Sequence, residues 1–184
     1  MKIGLISDTH GDLTAWKKAL SLFGKIDIAL HAGDILSSGP FNPRKPSYKP
    51  AELAEAINSA SFPTIFAKGN CDAEIDTFAI DYPIESPYAF VFIDGLRIMV
   101  THGHHYGEKE LAELGRRYGL NLIVRGHSHL RGISADRDIM MVNPGSASLP
   151  KGEDETPSVG IIEGRSITII SLNDGMVIES AEIP

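Results

Sequence analysis

The chain has 184 residues, with 17 Lys plus Arg against 24 Asp plus Glu, a net charge of −7 and 42% hydrophobic residues. That length suits one domain with a core that buries roughly two-thirds of the extended surface, and the acidic balance argues against a groove that binds nucleic acid by neutralising many phosphates. The single cysteine, Cys71, rules out an internal disulfide and fits a reducing cytoplasmic compartment, while no run approaches the roughly 18 apolar residues of a membrane span.

Ile3 to Ser7 is a short apolar run that reads as a strand and ends at Asp8-Thr9-His10. This N-terminus is too polar for a signal peptide, and cleavage within it would destroy the first motif. Asp12 is placed to cap a helix in which Leu13, Trp16, Leu20 and Phe23 recur at helical spacing, so Trp16 reads as core. A second strand, Ile26 to Ala32, ends at Gly33-Asp34. A helix over Ala51 to Ser59 and a third strand, Thr64 to Ala67, lead to Gly69-Asn70-Cys71-Asp72. A β-α-β-α-β opening implies parallel strands with right-handed crossovers.

Between the second strand and the second helix, Leu36 to Pro50 carries four prolines with Arg44, Lys45 and Lys49. The loop is longer than most connections in a compact domain. Two readings stay open for it: a flap whose basic residues reach an anionic substrate, or a solvated loop or subunit contact.

Tyr88 to Ile93 and Leu96 to Thr101 flank Asp94-Gly95, a hairpin signal, and the second of them runs into His102-Gly103-His104. Glu108 to Tyr118 reads as a helix with Leu111, Leu114 and Tyr118 on its core face. The strand Leu120 to Arg125 ends at Gly126-His127-Ser128-His129. Beyond it, Ile139 to Val142, Val159 to Glu163, Ile167 to Leu172 and Met176 to Ile183 read as an antiparallel meander turning at Gly164-Arg165 and Asp174-Gly175. Asn143-Pro144-Gly145-Ser146 is a tight turn expected to support the loop before it. A parallel half and an antiparallel half are accommodated by two packed sheets with helices outside.

Strands that end in ligands aim them at one rim, and these strands end in two Asp, one Asn and four His. Asp8 and His10, like His127 and His129, stand two apart, which puts both side chains on one side of an extended chain. An ionised carboxylate such as Asp34 can bridge two cations, and the Asn70 amide oxygen coordinates without adding charge. Two carboxylates and two divalent ions leave a positive site, which a bridging hydroxide reduces to one charge, matched to a phosphodiester monoanion. His31, inside a strand, reads as a hydrogen-bonded core histidine, His105 as solvated, and Arg125 as a surface residue at the sheet edge. Cys71 is either a small buried hydrophobe or a neighbour of the site. Its thiol is a weak donor with an ordinary pKa of roughly 8.5.

The ordered set Asp-x-His, Gly-Asp, Gly-Asn-x-Asp, Thr-His-Gly-His and Gly-His-x-His resembles the calcineurin-like metallophosphoesterase superfamily. The short chain is similar to its YfcE-type phosphodiesterases over nearly all of its length. The resemblance implies a four-layer αββα sandwich of two mixed sheets flanked by helices, an α+β fold in one domain over 1–184. It assigns Asp8, His10 and His129 to one metal and Asn70, His102 and His127 to a second, with Asp34 bridging. Manganese is the family-based default, and Fe, Co, Ni and Zn suit the same donors. The residue after the Asn is usually a His that helps protonate the leaving group. Cys71 stands there instead, and a phosphodiester preference is expected. Asp72, as an orienting group, and His104, near substrate, complete the expected catalytic set. The rival readings are a phosphomonoesterase or nucleotidase and a non-catalytic scaffold similar to the superfamily's retromer subunit. A small diester is the expected partner, with no membrane, no nucleic acid and homo-oligomerisation left open.

Overall fold

A computed structural model describes residues 1–184. The first half alternates strand and helix: β1 (Lys2–Ile6), α1 (Leu13–Phe23), β2 (Ile28–His31), α2 (Pro50–Asn58), β3 (Thr64–Ala67), the short α3 (Asp76–Ala79) and β4 (Ile84–Glu85). The hairpin β5 (Tyr88–Ile93) and β6 (Leu96–Thr101) follows, then α4 (Glu108–Tyr118) and β7 (Leu122–Val124). The tail is β8 (Gly132–Asp136), β9 (Ile139–Asn143), β10 (Ser158–Glu163), β11 (Ser166–Ser171) and β12 (Val177–Glu182). No helix is long and apolar enough to cross a membrane.

Two mixed sheets result, in the orders β12-β11-β10-β1-β2-β3-β4 and β5-β6-β7-β9-β8. β1, β2, β3 and β4 are parallel, as the alternating pattern requires. The side-chain alternation of β1 builds two interfaces at once. Leu5 joins Leu30, Val100, Val124, Val142 and Ile169 in a core shared by both sheets. Ile6 faces the other way, into a cluster with Trp16 and Phe23 of α1 and Leu53 and Ile57 of α2. On the far side, Leu111 and Ala112 of α4 cover Met99, Ile123 and Met141. Helices therefore lie outside both sheets, giving four layers. Asp12 caps α1 as expected, its side chain accepting from the Ala15 amide at 2.9 Å, an interaction of about 1 kcal/mol.

Two expectations need correction. The tail is not one meander: β10, β11 and β12 continue the first sheet beside β1, whereas β9 lies parallel to β7 and antiparallel to β8 in the second sheet. The unbroken apolar run of β9 is that of a strand covered on both faces, and β8, with the half-exposed sequence GISAD, lacks any alternation that would announce it. Tyr118 is exposed rather than core, because as the last residue of α4 it lies over the edge strand, 5.2 Å from the Phe90 ring. In the long loop, Arg44 lies over the Tyr48 ring at 5.2 Å and Lys49 pairs with Glu52 at 3.4 Å, whereas Lys45 bonds the Ser148 carbonyl and lines a recess that includes His129.

Candidate metal centre

The loops after β1 and β2 run side by side, joined by bonds from the Asp8 amide to the Gly33 carbonyl at 3.0 Å and from the His10 amide to the Asp34 carbonyl at 2.9 Å. A third loop is locked to them by Asp72, whose buried carboxylate accepts from the amides of Asp34 at 2.8 Å, Ile35 at 2.6 Å and Gly69 at 2.7 Å. The packing is close: a Cβ on Gly69 would lie 2.1 Å from Asp34 Oδ1 and 2.4 Å from its backbone nitrogen, so only glycine fits. The Asn143 side chain donates to the Gly126 carbonyl at 3.0 Å and to Ser128 Oγ at 2.9 Å, and the Ser146 hydroxyl to the Asp8 carbonyl at 2.8 Å. The tight turn thus braces two site loops at once.

Side-chain atoms of Asp8, His10, Asp34 and His129, all buried, lie within 4.8 Å of one another. His10 Nε2 is 3.6 Å from Asp34 Oδ2, and His129 Nε2 is 3.2 Å from Asp8 Oδ1. The i, i+2 spacing is expected to act through an extended chain, and the backbone here is different. Asp8, His10, Asp34, His127 and His129 are not extended but left-handed, with φ of 53°, 45°, 56°, 69° and 60°.

The ring orientations indicate what this cluster is for. His10 Nδ1 bonds the Ser37 carbonyl at 2.9 Å, His129 Nδ1 the Leu149 carbonyl at 2.5 Å and His102 Nδ1 the Ala32 carbonyl at 2.7 Å. Carbonyls only accept, so each Nδ1 carries a proton, and whenever the ring is neutral its Nε2 lone pair turns inward. The Nε2 atoms of His10 and His129 then face each other at 3.3 Å, and Asp8 Oδ1 is buried without a hydrogen-bond partner. Opposed lone pairs and an orphaned carboxylate oxygen fit a cation, and backbone carbonyls behind metal-ligating imidazoles are the usual device for fixing their tautomer.

The other half of the rim is more open. His102 Nε2 is 3.1 Å from Asn70 Oδ1 and 3.4 Å from Asp34 Oδ2, while the exposed His127 ring stands 5.1 Å from that of His102. Burial opposes charge on His102, but Asp34 and Asp8 outweigh it and raise its pKa to about 9. The same carboxylate field favours any cation there. Burial also opposes charge on Asp34, yet His102, the Cys71 amide and His10 hold its carboxyl well below the usual range.

Asp72 is buried. Burial pushes its carboxyl up to about 6 against the pull of three backbone donors. His104 is half-buried at 5.3 Å from the His102 ring and 6.0 Å from His127. Burial and the adjoining His105 lower it to about 4, leaving a neutral ring at physiological pH. Cys71 donates its amide to Asp34 Oδ1 at 2.8 Å, while burial, then the Asp34 charge, push its thiol up to about 12. That shift keeps the thiol protonated near neutrality. His31 is a fully buried, hydrogen-bonded core residue, His105 is exposed, and Arg125 pairs with Glu108 at the surface. Two residues escaped the sequence reading. Lys151 and Phe41 border a cleft of about 540 Å³ that reaches Asp34, Asn70, His127 and His129. Neither belongs to a ligand motif, although Phe41 lies in the long loop for which a flap reading stays open.

A family model described as the calcineurin-like phosphoesterase superfamily domain matches residues 1–166. The phosphodiesterase YfcE of Escherichia coli is 35% identical over 185 aligned residues, covering 100% of this chain and 98% of that protein. Its solved structure superposes with a TM-score of 0.89 at 34% identity, each chain covered completely. Vps29 of Entamoeba histolytica, solved with zinc, shares the fold at a TM-score of 0.72 and 19% identity, covering 99% of each chain.

Proposed function

The chain belongs to the calcineurin-like phosphoesterase superfamily, and on that premise we propose that it hydrolyses a small phosphodiester at a centre of two divalent cations. Asp8, His10 and His129 would hold one cation, Asn70, His102 and His127 the other, and Asp34 both. When bound, two such ions supply an activated water and positive charge for the phosphoryl oxygens. Manganese is our proposal for both, with a cytoplasmic setting that keeps Cys71 reduced.

The remaining roles belong to the chain itself. Asp72 fixes the Asp34 and Gly69 loops through their amides, and the backbone carbonyls of Ser37, Ala32 and Leu149 hold three imidazoles in the coordinating tautomer. His104 stands beside His102 and His127 as a neutral ring able to touch substrate. Lys151 brings a positive side chain to the cleft. Without a strong acid at position 71, proton delivery to a poor leaving group suffers, which favours diesters with good leaving groups over ordinary monoesters. One observation carries the reading: two Nε2 lone pairs meeting at 3.3 Å beside a partnerless carboxylate oxygen.

The test combines metal analysis of the purified protein with bis(4-nitrophenyl) phosphate and 4-nitrophenyl phosphate turnover after Mn²⁺ loading. Two metals per chain and faster diester cleavage are expected, with both lost in Asp34→Asn. Faster monoester cleavage would make it a phosphomonoesterase, and bound metal with no turnover on any ester would make it a scaffold.

A further inference from the structure

The segment Ser37 to Asn42 forms one wall of the cleft, and it is tethered rather than loose. The Ser37 carbonyl accepts from His10 Nδ1 at 2.9 Å, and Ser38 Oγ donates to the His10 carbonyl at 3.3 Å. The Gly39 amide bonds Ser37 Oγ at 3.1 Å, and Pro40 and Pro43 restrict the backbone on either side of the tip. Gly39, at φ 62°, rests on Cys71: a Cβ there would lie 2.9 Å from the sulfur. An imidazole at position 71 would extend well beyond that sulfur and displace the loop. Small size, rather than thiol chemistry, is what this wall requires of residue 71.

The same wall presents Phe41 with 96% of its surface exposed at the edge of the cleft. Isolated exposed apolar side chains are common on protein surfaces, but this one stands on a held loop and lines the same cleft as Asn70, His127 and Lys151. The cleft volume of about 540 Å³ suits a small ligand. Lys151 lines it, and Lys45 stands in the adjoining recess that shares Asn42, His129 and Lys151; two cations serve a small phosphate ester and not the successive phosphates of a polynucleotide.

We propose that Phe41 is a specificity-determining stacking platform, and that the diester taken by this site carries a planar aromatic ester group, such as a single nucleoside, laid on the Phe41 ring while its phosphate lies at the ligand ladder beside Lys151. This rests on the phosphodiesterase reading and sharpens it. Stacking of one base on an aromatic side chain corresponds to roughly five- to hundredfold in affinity and tolerates any base.

The experiment measures dissociation constants by calorimetry on Mn²⁺-loaded protein for thymidine 5′-phosphate and for methyl phosphate, which share the phosphate and differ in the ring. The wild type should bind the thymidine ester at least fivefold more tightly. Phe41→Ala should erase that ratio by weakening only the thymidine ester, and Phe41→Trp should retain it. No preference in the wild type, an unchanged ratio in Phe41→Ala, or equal weakening of both ligands would each overturn the proposal. Turnover of bis(4-nitrophenyl) phosphate, measured on the same preparations, tests the phosphodiesterase reading separately, so failure of one is distinguishable from failure of the other.

Discussion

Acid should loosen this protein through His31, a residue that touches no candidate ligand side chain. The ring is fully buried and committed as a neutral species: Nδ1 accepts from the Gly33 amide at 3.2 Å, and Nε2 donates to Thr9 Oγ1 at 3.0 Å, whose own hydroxyl donates to the Ile35 carbonyl at 2.9 Å. A proton on Nδ1 would point at an N–H. Burial lowers the pKa from 6.5 to about 3. Because the folded value is depressed, the folded chain refuses a proton that the unfolded chain binds, so the contribution is intact above pH 6.5 and lost as pH falls towards 3. Each unit below 6.5 costs about 1.4 kcal/mol, or roughly 2 kcal/mol at pH 5. Urea unfolding from pH 7 to 4, with chelator present throughout, should show wild-type stability falling more steeply than that of His31→Gln by one proton's worth of slope. Parallel curves for the two proteins would refute the reasoning.

Asp72→Asn replaces one acceptor oxygen by a donor facing backbone amides, stranding at least one buried N–H at a cost of about 1–3 kcal/mol. Thermal melts should drop by several degrees, and Mn²⁺ titration should show affinity weakened by roughly ten- to hundredfold because the Asp34 loop loses its brace; unaltered metal affinity would count against that role. Cys71→His should raise turnover of esters with a poor alkyl leaving group relative to 4-nitrophenyl esters by supplying a donor that is strong near neutrality. The same variant should weaken thymidine 5′-phosphate binding, since the imidazole needs the space that Gly39 occupies. An unchanged turnover ratio would dispose of the leaving-group argument.

Much of this molecule is legible in the chain because its signals are local. Asp12 announces α1, the Asp94-Gly95 turn announces β5 and β6, and the ladder residues sit at strand ends that short apolar runs define. What escapes is non-local. The pairing of Ile3 with Ile162 joins residues from the two ends of the sequence, and no periodicity tells β10 to return beside β1 while β9 stays in the other sheet. The same holds at the site. The seven expected ligands are side chains with a pattern, but the groups that orient the imidazoles are main-chain carbonyls of Ser37, Ala32 and Leu149, which any residue could supply. Lys151 and Phe41 reach the cleft through loop geometry alone.

The left-handed backbone at Asp8, His10, Asp34, His127 and His129 ties these scales together. Each such residue costs on the order of 1 kcal/mol, less for Asp than for a bulkier side chain, so the five together approach the low end of a domain's entire net stability. They persist because neighbours over-determine them. Asp8 and His10 are pinned to the β2 loop by ladder bonds, Asp34 by Asp72, and the Asp8 carbonyl by Ser146. Thr9 turns the opposite way, into the His31 network, so Asp8 and His10 are free to face the centre. The ladder is therefore preorganised by strain that the buried second layer restrains. Substitutions in that layer, at His31 or Asp72, should act on stability and metal affinity together, whereas a change at Phe41 should leave both alone.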